Sequence, residues 1–164
     1  MSRSSHEAFY SHGIIGHRAF FILGDSAWAV VDWLTGAGRL KLTNLIHLFP
    51  TLEVELCSDR AVARSRALSI TIYPLGFALD SSDPVLRTWR GPGTQNQGLY
   101  SPDFGVKFPS AVVAVSSNRI DLPWIGGYVI ARGSEQSLVS LEANPTEGRL
   151  SLELSGKTHR LQIS

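Results

Sequence analysis

Phe20-Phe21-Ile22-Leu23-Gly24-Asp25-Ser26-Ala27-Trp28-Ala29-Val30-Val31-Asp32-Trp33-Leu34 decides the fold class. Two short apolar runs, rich in aromatic and β-branched residues, flank a Gly-Asp-Ser turn signal, which is the pattern of a β-hairpin. Working outward, Gly36-Ala37-Gly38 reads as a second hairpin turn, leading into a strand from Leu40 to Phe49. Leu52, Val54 and Leu56 alternate with Glu53 and Glu55, so one side of that strand is buried and the other is wet. Leu68, Ile70 and Ile72 alternate with Ser69 and Thr71 in the same way. Leu150, Leu152 and Leu154 precede the turn Ser155-Gly156-Lys157, which reverses the chain into Leu161 and Ile163.

Helical signals are weak, and the alanine-rich stretch 61–68 favours a strand or loop through its Val and Ser content. From Asp80 to Phe108, proline, glycine and amide residues crowd together, as in Gly91-Pro92-Gly93 and Ser101-Pro102-Asp103. That region reads as long loops around one short strand, Val85 to Arg90. The expectation is an all-β chain: an antiparallel β-sandwich of about ten short strands with little or no helix, one domain over residues 1–164.

The 164 residues suffice for one core without a disulfide or structural metal. Cys57 is the single cysteine, so no internal disulfide forms. A formal net charge of +1 argues against nucleic acid as a partner. Arginine outnumbers lysine among the 15 positive residues, which suits bidentate contacts to carboxylates or sulfates and equally suits a GC-rich genome. No run reaches the length of a membrane-spanning helix. The start, Met1-Ser-Arg-Ser-Ser-His-Glu, lacks the apolar core of a secretory signal, and patterned sequence begins abruptly at Phe9.

Nucleophile elbows, phosphate loops and dinucleotide fingerprints are absent. His6, His12 and His17 cluster near the start, but His12 and His17 differ by an odd number and point to opposite sides of a regular strand. They read as structural histidines, with no metal and no cofactor expected. Glu53 and Glu55 share one side of a strand and would suit acid–base work if one were desolvated; a solvated strand face is the simpler reading. Trp28 and Trp124 sit in apolar runs and are expected in the core, whereas Trp33, five residues from Trp28, faces the other way and is expected half exposed. Trp89 beside Arg87 and Arg90 packs under a loop or stacks on a sugar ring.

Several stretches, in order, resemble the heparinase II/III-like polysaccharide lyases, in the last part of their C-terminal β domain. These are His6-Glu7-Ala8-Phe9; His17-Arg18; the run Trp28 to Gly38, with its Trp-x-Val-Val-Asp-x-Leu-x-Gly-x-Gly pattern; Asn44 to Pro50; Tyr100-Ser101-Pro102-Asp103-Phe104-Gly105-Val106-Lys107-Phe108-Pro109; and Leu122-Pro123. Two positions depart from the family: Ala8 stands for a glycine, and His17-Arg18-Ala19 lacks the second arginine position. The resemblance implies β-elimination of uronate-containing polysaccharides, such as glycosaminoglycans or alginate, in a full-length bacterial relative that is periplasmic or secreted. It also implies that the catalytic tyrosine and histidine come from an α/α-toroid, and a His-x-His/Asp segment and metal ligands from earlier strands. No residue here matches those positions, so no catalytic residue is carried over.

The resulting expectation is a β-sandwich fragment or subunit that is inactive alone and pairs with an acidic polysaccharide or a catalytic toroid domain. His17, Arg18, Trp89 and Arg90 are the candidate glycan contacts. A free-standing, non-catalytic carbohydrate-binding module is the alternative, and an assembly domain for a separately encoded toroid is a third reading. A sandwich lacking its neighbours would show an exposed sheet edge or an uncovered apolar face, through which it would self-associate.

Overall fold

The computed structural model describes residues 13–76, 85–92, 97–133, 138 and 142–163, together with the backbone of 2–6 and 139–141. Strand-forming sequence dominates so completely that no helix occurs among the described residues, and therefore none long and apolar enough to cross a membrane. In chain order the strands are β1 (Ser2–His6), β2 (Ile15–Ile22), β3 (Ala27–Thr35), β4 (Arg39–His47), β5 (Glu53–Leu56), β6 (Ala61–Arg64), β7 (Ser69–Leu75) and β8 (Leu86–Arg90). They continue with β9 (Leu99–Asp103), β10 (Val106–Pro109), β11 (Ala111–Asp121), β12 (Trp124–Arg132), β13 (Leu138–Asn144), β14 (Arg149–Leu154) and β15 (Lys157–Gln162). Every pairing is antiparallel.

The all-β antiparallel sandwich is present, built in three layers. A seven-stranded sheet, ordered β1-β2-β3-β12-β7-β6-β5, lies between β4-β11-β8 and β13-β14-β15. Side chains alternate across each central strand, so odd positions of β3, β7 and β12 enter one core and even positions of β7 and β12 the other. Val31, Leu75 and Val129 pack with Leu150, Leu152 and Ile163 of the β13-β14-β15 layer. Ile72 and Ile130 pack on the opposite face with Ile46, Val113 and Val115. Because β7 is covered on both sides, Thr71 is buried rather than wet, and its hydroxyl donates to the Gly133 carbonyl at 2.7 Å.

Fifteen strands appear among the described residues where the spacing suggests about ten, because some polar or proline-bearing segments also pair. The clearest case is 97–109, read from sequence as loop. Leu99–Asp103 and Val106–Pro109 form a hairpin of their own, with Pro102 tolerated because a two-stranded ribbon has free edges. The hairpins Phe20 to Leu34 and Leu150 to Ile163 form as read. Ser155 and Gly156 both take positive φ, giving the latter its tight two-residue turn.

Gly36-Ala37-Gly38 is not a hairpin turn. β3 pairs with β2 and β12, whereas β4 pairs with β11, so these residues carry the chain from the central sheet to an outer layer. Gly36 has φ +125°, and a Cβ there would collide with the Gly13 carbonyl. The expected core position of Trp28 is also overturned: Trp28 is 46% exposed, while Trp124 is buried as expected. Both sides of β3 are apolar, and periodicity does not say which one an outer layer leaves uncovered.

Candidate functional site

Arg18 on β2 and Asp32 on β3 face each other directly across the ladder. That register lets the guanidinium grip the carboxylate twice, Nε to Oδ1 at 2.6 Å and Nη2 to Oδ2 at 2.8 Å. Nη2 also donates to Asn44 Oδ1 at 2.8 Å, and Asn44 belongs to β4 in the next layer. Planarity and five donors let arginine serve two acceptors in different layers, which lysine does not do in a fixed geometry. Asp32 and Asn44 are buried, and Arg18 is partly exposed. The bonds to Asp32 raise Arg18 above its ordinary pKa against the opposing cost of burial. Tyr128, on β12, is held above the usual phenol value by burial, with the Arg18 charge pulling the other way. The Asn44 Nδ2 donor is buried without a hydrogen-bond partner, an arrangement that costs about 1–3 kcal/mol.

Beside this clamp, on the same side of the sheet, lies an apolar groove. Phe20 pairs opposite Val30, and Ile22 opposite Trp28, two and four residue pairs along the β2–β3 ladder from Arg18 and Asp32. With Tyr128 and Ile130 they line a groove of about 500 Å³. Phe20 is 49% exposed and Ile22 73%. Half-exposed indole and phenyl faces next to a fixed arginine suit the apolar face of a sugar ring or an apolar side chain from a partner. The arrangement offers binding and positioning.

The four candidate glycan contacts do not converge. His17 lies on the other side of β2 from Arg18 and stacks on Trp33 at 5.2 Å, and the Trp33 indole donates to the Pro145 carbonyl at 2.7 Å. Trp33 is half-buried, as expected. Trp89 is partly buried on β8, opposite Val112 of β11, which is fully buried. Arg90, one residue on, donates to the carbonyls of Pro50 (2.8 Å) and Leu52 (2.5 Å) and approaches Glu53 at 3.3 Å. Arg90 thus ties the loop before β5 to β8. Of the four, Arg18 alone adjoins the groove.

Phe20, Trp28 and Tyr128 were not among the candidates. Their one sequence signal is parity: Arg18, Phe20 and Ile22 share a side of β2, and Trp28, Val30 and Asp32 share the matching side of β3. The carboxylate pair resolves as a solvated face, with Glu55 paired to Arg64 at 2.8 Å and Glu53 to Arg90, both side chains largely exposed. His12 and the side chain of His6 lie outside the described residues. Among the described residues no three His, Cys, Asp or Glu side chains come together to hold a metal.

No protein-family model matches the chain, and no curated protein matches it by sequence. Solved structures do match in fold. A heparan sulfate lyase from Pedobacter heparinus, in mutant form, aligns over 97% of this chain with a TM-score of 0.69 at 12% identity, and a second structure of that lyase over 93% with 0.65 at 13%. A heparinase III (the BT4657 gene product) aligns over 92% with 0.62 at 10%. The chain spans about a quarter of the length of each. This chain therefore has the fold of one part of the heparan sulfate lyases it resembles.

Proposed function

We propose that this chain is the β-sandwich part of a heparinase-type polysaccharide lyase, acting on an acidic, uronate-containing polysaccharide together with a catalytic toroid and performing no elimination by itself. The observation that carries the reading is the lopsided coverage: nearly all of this chain aligns with about a quarter of each lyase. The chemistry agrees. Elimination needs a group that neutralises the uronate carboxylate, a base for the α-proton and an acid for the leaving oxygen. The described residues bring together a clamp and an aromatic groove instead. Incubating the purified chain with heparin, heparan sulfate and alginate, while following ultraviolet absorbance of the unsaturated product, tests this. No turnover alone, and turnover on adding a heparinase-type toroid, is the expected pair of results; turnover by the isolated chain overturns the inactive-alone part.

The half-exposed Trp28 and Phe20 favour one second reading, a non-catalytic carbohydrate-binding module. Calorimetric titration with the same glycans separates the two: saturable binding without any effect of a toroid supports the module.

A further inference from the structure

Among the described residues the β9–β10 hairpin forms a two-stranded sheet of its own, with Arg90 of β8 reaching the Pro109 carbonyl at 3.4 Å. A lone two-stranded ribbon is marginal in water, so one that is held open needs a reason. This one is clamped at its base, where Gly98 accepts from the amides of Gly91 (3.1 Å) and Ser110 (2.8 Å). A Cβ at Gly98 would strike the Gly91 carbonyl, so the base closes only on glycine. It is also fixed at its tip. Asp103 Oδ1 accepts from the Phe104 amide at 2.7 Å, and Ser101 Oγ lies within hydrogen-bond distance of the carbonyls of Asp103 and Val106. On this rigid tip Phe104 is 100% exposed, with Phe108 and Val106 also exposed behind it. Beside the ribbon, exposed Phe49 makes an edge contact with Tyr100 at 5.2 Å.

We infer that this finger is a docking element whose occupant is the groove of a second copy of this chain, with Phe104 inserted among Phe20, Ile22, Trp28 and Tyr128. The chain carries both halves of the contact, a preorganised aromatic knob and an apolar groove of about 500 Å³. The charges match as well. Asp103 precedes the knob, and Arg18 stands beside the groove with Nη1 outside its three hydrogen bonds. The area is sufficient. Taking an aromatic side chain as about 200 Å², the exposed apolar parts of the two patches come to roughly 800 Å². With both patches fully covered, an interface about three-fifths apolar buries at most roughly 1,300 Å², at the lower end of the range of specific complexes. The tip carries one acidic and one basic residue, Asp103 and Lys107, so it has no cationic excess to favour an anionic lipid surface. Because each contact joins unlike patches, every copy keeps a finger or groove to offer unless the assembly closes.

Sedimentation of the whole chain tests this through complementation. The wild type is expected to associate as concentration rises. Phe104→Asp, which spoils the finger, and Ile22→Asp, which spoils the groove at an exposed position, are each expected to stay monomeric with wild-type circular dichroism. Mixing the two variants is expected to give a 1:1 dimer, since one keeps the groove and the other the finger. A wild type that stays monomeric at every concentration overturns the inference, and so does a mixture that fails to pair. If the monomer instead floats with neutral phosphatidylcholine vesicles through Phe104, the finger is a lipid anchor.

Discussion

Both faces of the central sheet carry apolar residues, but the two covers differ. The β13-β14-β15 layer brings Leu150, Leu152, Leu154, Leu161 and Ile163 onto Val31, Leu75 and Val129. The β4-β11-β8 layer covers Ile72 and packs on Ile130, but on the same face it leaves Phe20, Ile22 and Trp28 open. Where cover ends, the contact between layers turns polar: Arg18 grips Asp32 in its own sheet and Asn44 in the next. A closed face is held by area and packing, whereas a partly open one is pinned by a charged clamp that ties the two layers together. The open corner beyond the clamp is then a usable surface.

The comparison breaks most readily on the closed side. Leu152→Ala empties a fully buried site between β14 and the central sheet, and truncations of that kind cost about 2–5 kcal/mol. Urea denaturation is the measurement; a loss under 1 kcal/mol would mean that the β13-β14-β15 layer is not part of the cooperative core. The clamp comes next. Asp32→Ala removes both acceptors of the bidentate pair and leaves Arg18 charged. Arg18 is 42% exposed, so water takes over part of the lost bonding, and the expected cost is about 1–3 kcal/mol rather than the larger penalty of a fully buried orphan. Arg18→Lys is expected to recover little of it, because an ammonium does not reproduce the fork between Asp32 and Asn44.

Local features were legible in the sequence, and layering was not. Alternation and the Gly24-Asp25-Ser26 turn suffice for the β2–β3 hairpin, since strand period and turn chemistry are both local. The Gly36-Ala37-Gly38 segment looks the same on paper, yet it changes layer, because the partner of β4 is β11, some seventy residues away. Trp28 fails for a related reason: a strand apolar on both sides gives no sign of which side lies under an outer sheet. The candidate site was legible only at Arg18. Its partners Asp32 and Asn44 lie in different strands, and Tyr128 reaches the groove from β12, so only the assembled register brings them together.

The smallest effect on stability belongs to the open corner, and its smallness is what makes it informative. Ile22 is 73% exposed, so replacing it with serine removes little buried area and is expected to change stability by no more than about 0.5 kcal/mol. An aliphatic residue in a strand that adds nothing to folding is otherwise a liability, since exposed apolar surface beside a sheet edge invites aggregation. The same substitution is therefore expected to alter solution behaviour while leaving the denaturation curve in place, a dissociation between stability and association that Leu152→Ala does not show. Denaturation of the monomer, measured beside sedimentation of the same samples, reads both quantities. A stability loss of 2 kcal/mol or more for Ile22→Ser would mean that this corner is folded under cover and that the two faces do not differ in the way described.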